Sequence, residues 1–243
     1  MTNAILEAKG LNKTFVMHLL GGRRISALQD ISLRVEEGEF VALVGRTGAG
    51  KSSLVKSLLQ IYRPDSGSVH FRRADGVTVD LTTLPETELL DLLDVEIGYV
   101  SQHLRVVPRV GALDLMLERA SGEDTQAARA AARRLFAQLD LSTELEDVFP
   151  VTFSGGEKQR LNLALTLMRK PRLLFLDEPT AALDPATRDR IVEFLAARKR
   201  EGVTTIGIFH DLDAVAKLAD RVIEVDGGRL VAERRTAAPT IPA

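Results

Sequence analysis

Phe40–Val44 reads FVALV and leads straight into Gly45-Arg46-Thr47-Gly48-Ala49-Gly50-Lys51-Ser52. No other stretch restricts the fold of this chain as tightly. Consecutive apolar residues without alternation make a strand buried on both faces. Leu54, Leu58 and Ile61 then recur at helical spacing, which predicts a helix over Lys51–Ile61. The loop between them fits G-x-x-x-x-G-K-[ST]. Its glycines let successive backbone N–H groups turn inward, and the start of the helix adds positive potential, so the loop suits phosphate. Lys51 is placed to reach the outer phosphates, and the Ser52 hydroxyl to ligate magnesium. A plain turn needs a glycine or two but has no use for Lys-Ser directly behind them.

Further along, Leu173–Leu176 and Thr204–Phe209 are two more buried-strand runs, each followed by a predicted helix. Strand–helix alternation predicts an α/β fold with a parallel sheet covered on both faces, and ligands at the carboxyl ends of its strands. Ile31, Leu33 and Val35 alternate with polar residues as in a half-buried strand. Ser68–Arg72 and Val77–Leu81 flank Asp75-Gly76, a hairpin signal for a small antiparallel sheet. Glu123–Leu139 is expected to be helical, with Arg129, Arg133 and Arg134 on a solvated face. A single domain over 1–234 is expected, with 235–243 as a frayed, disordered tail.

Asp177 stands at the tip of the run Leu173–Leu176, where an acid can hold magnesium through water opposite a phosphate-loop serine. Neighbouring strand residues point to opposite faces, so Glu178 shares that site only if it lies past the strand end. Pro179 suggests that the chain turns there, and Glu178 can then polarise the attacking water. His210 ends the run TTIGIF and Gln102 follows Ile97–Ser101, which puts both on the same carboxyl edge.

Phe153-Ser154-Gly155-Gly156-Glu157 opens a second helix, through Met168. Ser154 and Glu157 form a capping box, which satisfies free backbone N–H groups. Two glycines in the first turn weaken a helix, and the cap does not explain them. They allow close approach by an anion facing Ser154 and the helix start. Because only the first phosphate element carries a lysine and metal ligands, the second is expected to complete the site of another copy of the chain.

Composition sets the outer bounds. Lys plus Arg (32) nearly balance Asp plus Glu (34), for a formal charge of −2, which gives no support for a nucleic-acid partner. The absence of cysteine removes thiol chemistry and disulfides. No apolar run approaches membrane-spanning length, and the first ten residues lack a secretion signal. A cytoplasmic location is expected, peripheral to the inner membrane if the partner is a permease.

With these residues in view, the chain resembles the nucleotide-binding subunits of the ATP-binding-cassette (ABC) superfamily over nearly all of 3–233. Gly45–Ser52 resembles the family's Walker A loop, Leu173–Asp177 its Walker B strand, and Ser154–Glu157 its signature. Departures are small: Phe153 and Glu157 stand where Leu and Gln are commonest, and Phe15 replaces the more usual Tyr. The resemblance implies a RecA-like P-loop NTPase core with an antiparallel β lobe and an inserted helical lobe over about 103–160. It also implies ATP and Mg2+ as ligands and a homodimer, or a pseudo-dimer with a related ATPase. Glu178, His210 and Lys51 would be catalytic. Phe15, Gly45, Arg46, Thr47, Gly48, Ala49, Gly50, Lys51, Ser52, Ser53 and Gln102 would bind ATP, as would Ser154, Gly155, Gly156 and Glu157 from the other copy. Ser52, Gln102 and Asp177 would hold magnesium, and Asp184, in Ala182-Leu183-Asp184, would lie at the dimer interface.

Val100–Ala112, the Asp75-Gly76 hairpin leading to Val79-Asp80-Leu81, and Gly207–Asp211 are similar to the PhnL-type ATPase of the bacterial carbon–phosphorus lyase system, which breaks down phosphonates. That resemblance implies a soluble lyase complex as partner. A membrane permease is the alternative, since exporters of the lipoprotein-release and macrolide types carry a similar Ser-Gly-Gly-Glu signature. A switch GTPase would need an N-K-x-D element downstream of the phosphate loop, and a DNA-repair ATPase a long coiled coil between Gln102 and Ser154. The sequence has neither.

Overall fold

The computed structural model describes residues 3–17, 21–102, 104, 109–120, 125–181 and 183–236. Two long strands, β1 (Ala4–Met17) and β2 (Arg23–Glu36), precede the buried strand β3 (Phe40–Val44) and helix α1 (Lys51–Leu58). Next come β4 (Ser66–Arg72), β5 (Thr78–Asp80), α2 (Glu86–Val95) and β6 (Ile97–Val100). Helices α3 (Ala112–Arg119), α4 (Thr125–Gln138) and α5 (Gly155–Leu167) follow, with two short 3-10 turns between α4 and α5. The chain closes with β7 (Leu173–Asp177), α6 (Pro185–Arg200), β8 (Thr204–Ile208), α7 (Leu212–Leu218), β9 (Arg221–Asp226) and β10 (Arg229–Arg235).

The strands form two sheets, in the orders β2-β1-β4-β5 and β10-β9-β3-β8-β7-β6. The first is antiparallel throughout. In the second, β9, β3, β8, β7 and β6 run parallel and only the edge strand β10 is antiparallel. Parallel pairing points the carboxyl ends of β3, β8, β7 and β6 to one edge, where the loops after them must meet.

Alternation along the parallel strands divides the core into two halves. Phe40, Ala42, Leu174 and Leu176 pack with α3–α7 on one face. Val41, Leu43, Leu173, Phe175, Ile206 and Ile208 face α1 and the antiparallel sheet on the other. Each strand is therefore apolar without interruption, as a sheet covered on both sides requires.

Several expectations shift at their edges. α1 ends at Leu58 because Gln60 takes φ 58°, and Ile61 beyond it is 51% exposed instead of packed. Of Glu123–Leu139 the structure describes the part from Thr125, and the helix ends at Gln138. Arg133 is exposed as expected, and it also forks onto both oxygens of Glu146, at 3.1 and 3.0 Å, which ties α4 to the end of the first 3-10 turn. Of the tail expected over 235–243, Arg235 instead closes β10 and the Thr236 N–H donates to the Asp220 carbonyl at 2.9 Å. The rest of the expected tail, 237–243, lies outside the described residues, as do Ala182 and parts of Val100–Ala112.

Candidate nucleotide site

The loop after β3 is held by backbone contacts that exclude side chains. Gly45 has φ 140°, and a Cβ there would stand 2.1 Å from the Val225 carbonyl oxygen of β9. Only glycine permits that approach. Lys51, just 5% exposed, donates through Nζ to the Gly45 and Arg46 carbonyls at 2.7 and 3.0 Å. Burial pulls its pKa below the usual lysine value, while the nearby Glu178 and Asp177 carboxylates act in the opposite sense. An anion in the loop would give this ammonium the counter-charge its surroundings only partly supply. Arg46, Thr47 and Gly48 are exposed around Lys51, Ala49 is buried, and Ser53 stands in the first turn of α1.

Asp177 lies at the end of β7 on the face that carries Leu173 and Phe175, the face toward α1. Ser52 Oγ donates to its Oδ1 at 3.1 Å, and Tyr99 Oη donates to its Oδ2 at 3.3 Å. Serine hydroxyl and carboxylate oxygens in contact are the hard donors that magnesium prefers. Among the described residues no group of three or more His, Cys, Asp or Glu converges on one point. A cation at Ser52 and Asp177 would then complete its shell with phosphate and water oxygens, which is how magnesium is commonly held.

Glu178 leaves the strand with φ 54°, a left-handed conformation uncommon outside glycine and costly for a side-chain-bearing residue. This turn brings Glu178 to the side of the sheet edge that strict strand alternation would deny it. His210 Nε2 lies 2.8 Å from its Oε1, and Gln102 Nε2 donates to its Oε2 at 3.2 Å. Gln102, expected among the magnesium ligands, thus turns its amide toward Glu178 here. Arg188 of α6 pairs with Asp211 at 3.1 Å, and Asp211 caps α7 immediately after His210.

The capping box over Ser154–Glu157 forms as drawn from sequence: Ser154 N–H donates to Glu157 Oε2 at 2.8 Å and Glu157 N–H to Ser154 Oγ at 3.3 Å. Glu157 is correspondingly held below the usual carboxylate range, first by the Ser154 hydroxyl and then by its N–H. Ser154 and Gly155 are exposed, and a Cβ on Gly155 would meet nothing within 4 Å. Among the described residues neither packing nor backbone conformation asks for glycine there. Asp184 caps α6, accepting from the Thr187 N–H at 3.0 Å, and is exposed.

Phe15 projects from β1 with its ring edge-on to Tyr62, the centroids 5.1 Å apart, and Lys13 Nζ 5.5 Å from its centroid. Thr14 N–H donates to Asp65 at 2.7 Å, which fixes β1 against the segment after α1. Sequence reasoning missed Tyr62, Tyr99 and the Arg188–Asp211 pair. Tyr99 had a signal, since it shares strand parity with Ile97 and so faces the Asp177 side.

The sequence profile of the ABC transporter family matches residues 28–181. An aliphatic sulfonates import ATP-binding protein of Rhizobium johnstonii is 35% identical over 93% of this chain and 75% of its own length. A methionine import ATP-binding protein of Sodalis glossinidius is 36% identical over 87% of this chain and 61% of its own length. A macrolide export ATP-binding/permease protein of the same organism is 32% identical over the whole chain but only 37% of its own length. The chain therefore spans less than two thirds of some of the relatives it matches. Among solved structures, the dimeric ATP-binding cassette MJ0796 in a post-hydrolysis state with ADP and Pi matches at TM-score 0.86 and 26% identity, over 96% of this chain and 99% of that one. The chain belongs to the ABC transporter family. It is an ATP-binding cassette of P-loop NTPase fold, an ATPase that takes ATP and Mg2+.

Proposed function

We propose that the chain is the ATP-hydrolysing subunit of an ABC transporter, working as a dimer in which each of two ATP molecules lies between Lys51 of one copy and Ser154 of the other. The observation that carries this is the division of the site. Lys51, Ser52, Asp177, Glu178, Gln102 and His210 gather along one sheet edge, whereas Ser154 and Gly155 are exposed and the Ser154 hydroxyl and N–H are engaged by Glu157 in the cap. A helix start left open beside an unexplained glycine suits an anion brought by another molecule.

Lys51 and the loop N–H groups bind and orient the phosphates, and Phe15 offers a ring face for the base. Ser52 and Asp177 would hold magnesium, which when bound would supply charge neutralisation for the phosphates. Glu178, held by His210 and Gln102, positions the attacking water and takes its proton. Asp184 stands at the dimer interface beside the partner's nucleotide. Contact with a permease falls in the region after Gln102, beside a cleft of about 850 Å³ walled by β6 and α5. Association with a permease at the inner membrane fits the relatives' import and export names; no helix among the described residues is long and apolar enough to cross a membrane.

A second partner rests on a sequence resemblance alone, and the import and export names of the relatives above do not support it. Val100–Ala112 and Gly207–Asp211 resemble the ATPase of the carbon–phosphorus lyase system, which would put a soluble complex in place of the permease. The test is a pull-down of tagged Glu178→Gln protein with ATP and Mg2+ from phosphate-starved cells, comparing soluble and detergent-extracted fractions by mass spectrometry. A multi-span permease supports the transporter reading. Soluble lyase subunits with no permease overturn it in favour of the second.

A further inference from the structure

We infer that Tyr99 is a positioning residue for the magnesium site, fixing the Asp177 carboxylate through its hydroxyl. The inference rests on the assignment of Asp177 as a magnesium ligand. β6 and β7 pair in parallel with Tyr99 opposite Phe175, and both residues point to the face that carries Asp177. This parity brings the phenol alongside the tip of the neighbouring strand. Asp177 is 3% exposed, so the orientation of its carboxylate is set by protein groups and not by solvent. Ser52 Oγ holds Oδ1 at 3.1 Å and Tyr99 Oη holds Oδ2 at 3.3 Å. With one oxygen contacted from α1 and the other from β6, both contacts favour the same orientation of the carboxylate.

Ser52 is itself expected to turn to the metal, which would leave Tyr99 as the grip that persists. At 3.3 Å the phenol is long for an O–H···O bond, so it aligns the carboxylate while drawing little charge away from a cation. Groups that orient ligands in this way commonly matter ~10–100-fold for metal affinity. Tyr99 also forms part of the wall of the cleft beside Gln102, as does Asp177.

The test is a titration of Mn2+ into the full chain with ATP in the Glu178→Gln background, followed by electron paramagnetic resonance, alongside binding of ATP without divalent cation. Tyr99→Phe removes only the hydroxyl and Tyr99→Leu also removes the ring. Expected is a weakening of Mn2+ binding of about 10-fold in Tyr99→Phe, with metal-free ATP binding unchanged. Mn2+ binding equal to or tighter than that of the parent in Tyr99→Phe, with a loss confined to Tyr99→Leu, would show the ring to be packing alone and overturn the inference. Asp177→Asn separates the two levels. If it keeps full Mn2+ affinity, the magnesium assignment fails and the inference with it. If it loses Mn2+ while Tyr99→Phe does not, only the role of Tyr99 fails.

Discussion

The imidazole Nε2 of His210 stands 2.8 Å from Oε1 of Glu178, joining the loops that follow two adjacent parallel strands. Glu178 reaches this contact only through its left-handed backbone, so the strain at 178 and the position of His210 are linked. His210→Ala should lower kcat by roughly 10²-fold, the scale for loss of one positioned polar group, and leave ATP affinity nearly intact. Steady-state phosphate release with a separate nucleotide-binding titration checks both halves.

Gly155 offers a sharper separation of fold from function. Gly155→Ala adds a methyl group to open space in the first turn of α5, where alanine is the better helix former by up to about 1 kcal/mol. Thermal unfolding of the isolated chain should therefore show equal or higher stability, while ATP turnover should fall at least several-fold if, as proposed, the added group faces the other copy's nucleotide. Unchanged turnover would mean that no ligand approaches there.

Much of the site was legible in the sequence because its groups lie next to chain breaks that local rules recognise. The FVALV run, the glycines before Lys51 and the Ser154 cap each announce themselves within a few residues. What escaped depends on distant pairing. Arg133 is solvated as the sequence suggests, but its pairing with Glu146 went unseen because Glu146 arrives on a separate turn. The helix after Lys51 seemed to reach Ile61 because its leucine spacing continues after Gln60 has already left helical geometry. Tyr99 was passed over because its value comes from β7, a strand more than seventy residues further on (Tyr99 and Asp177 are separated by 78).

Lys51→Ala should weaken ATP binding and hydrolysis together if the buried ammonium serves ground state and transition state alike, as the proposed site requires. Equilibrium binding of a fluorescent ATP analogue measures the first and phosphate release the second. A fall in turnover with undiminished binding would assign Lys51 to the transition state only.

Stability should carry an acid dependence from Glu37. The Arg172 guanidinium, then that of Arg72, hold this carboxylate below its ordinary value of 4.5, against the opposing effect of partial burial. A lowered folded-state pKa gives stability that is complete above the unfolded value and lost as pH falls through the folded one. Glu37→Gln should thus cost up to about 1 kcal/mol near neutral pH, as for a partly exposed ion-pair network, with the difference from wild type closing below pH 4.5. Urea melts at neutral and acid pH would show it.

The shared site is tested most directly by sedimentation of the Glu178→Gln chain with and without ATP and Mg2+. Binding without hydrolysis should trap the closed pair, so ATP is expected to convert monomer to dimer, and Ser154→Arg in the same background should abolish the conversion while ATP still binds. A chain that binds ATP yet sediments as a monomer under every condition would contradict a nucleotide held between two copies.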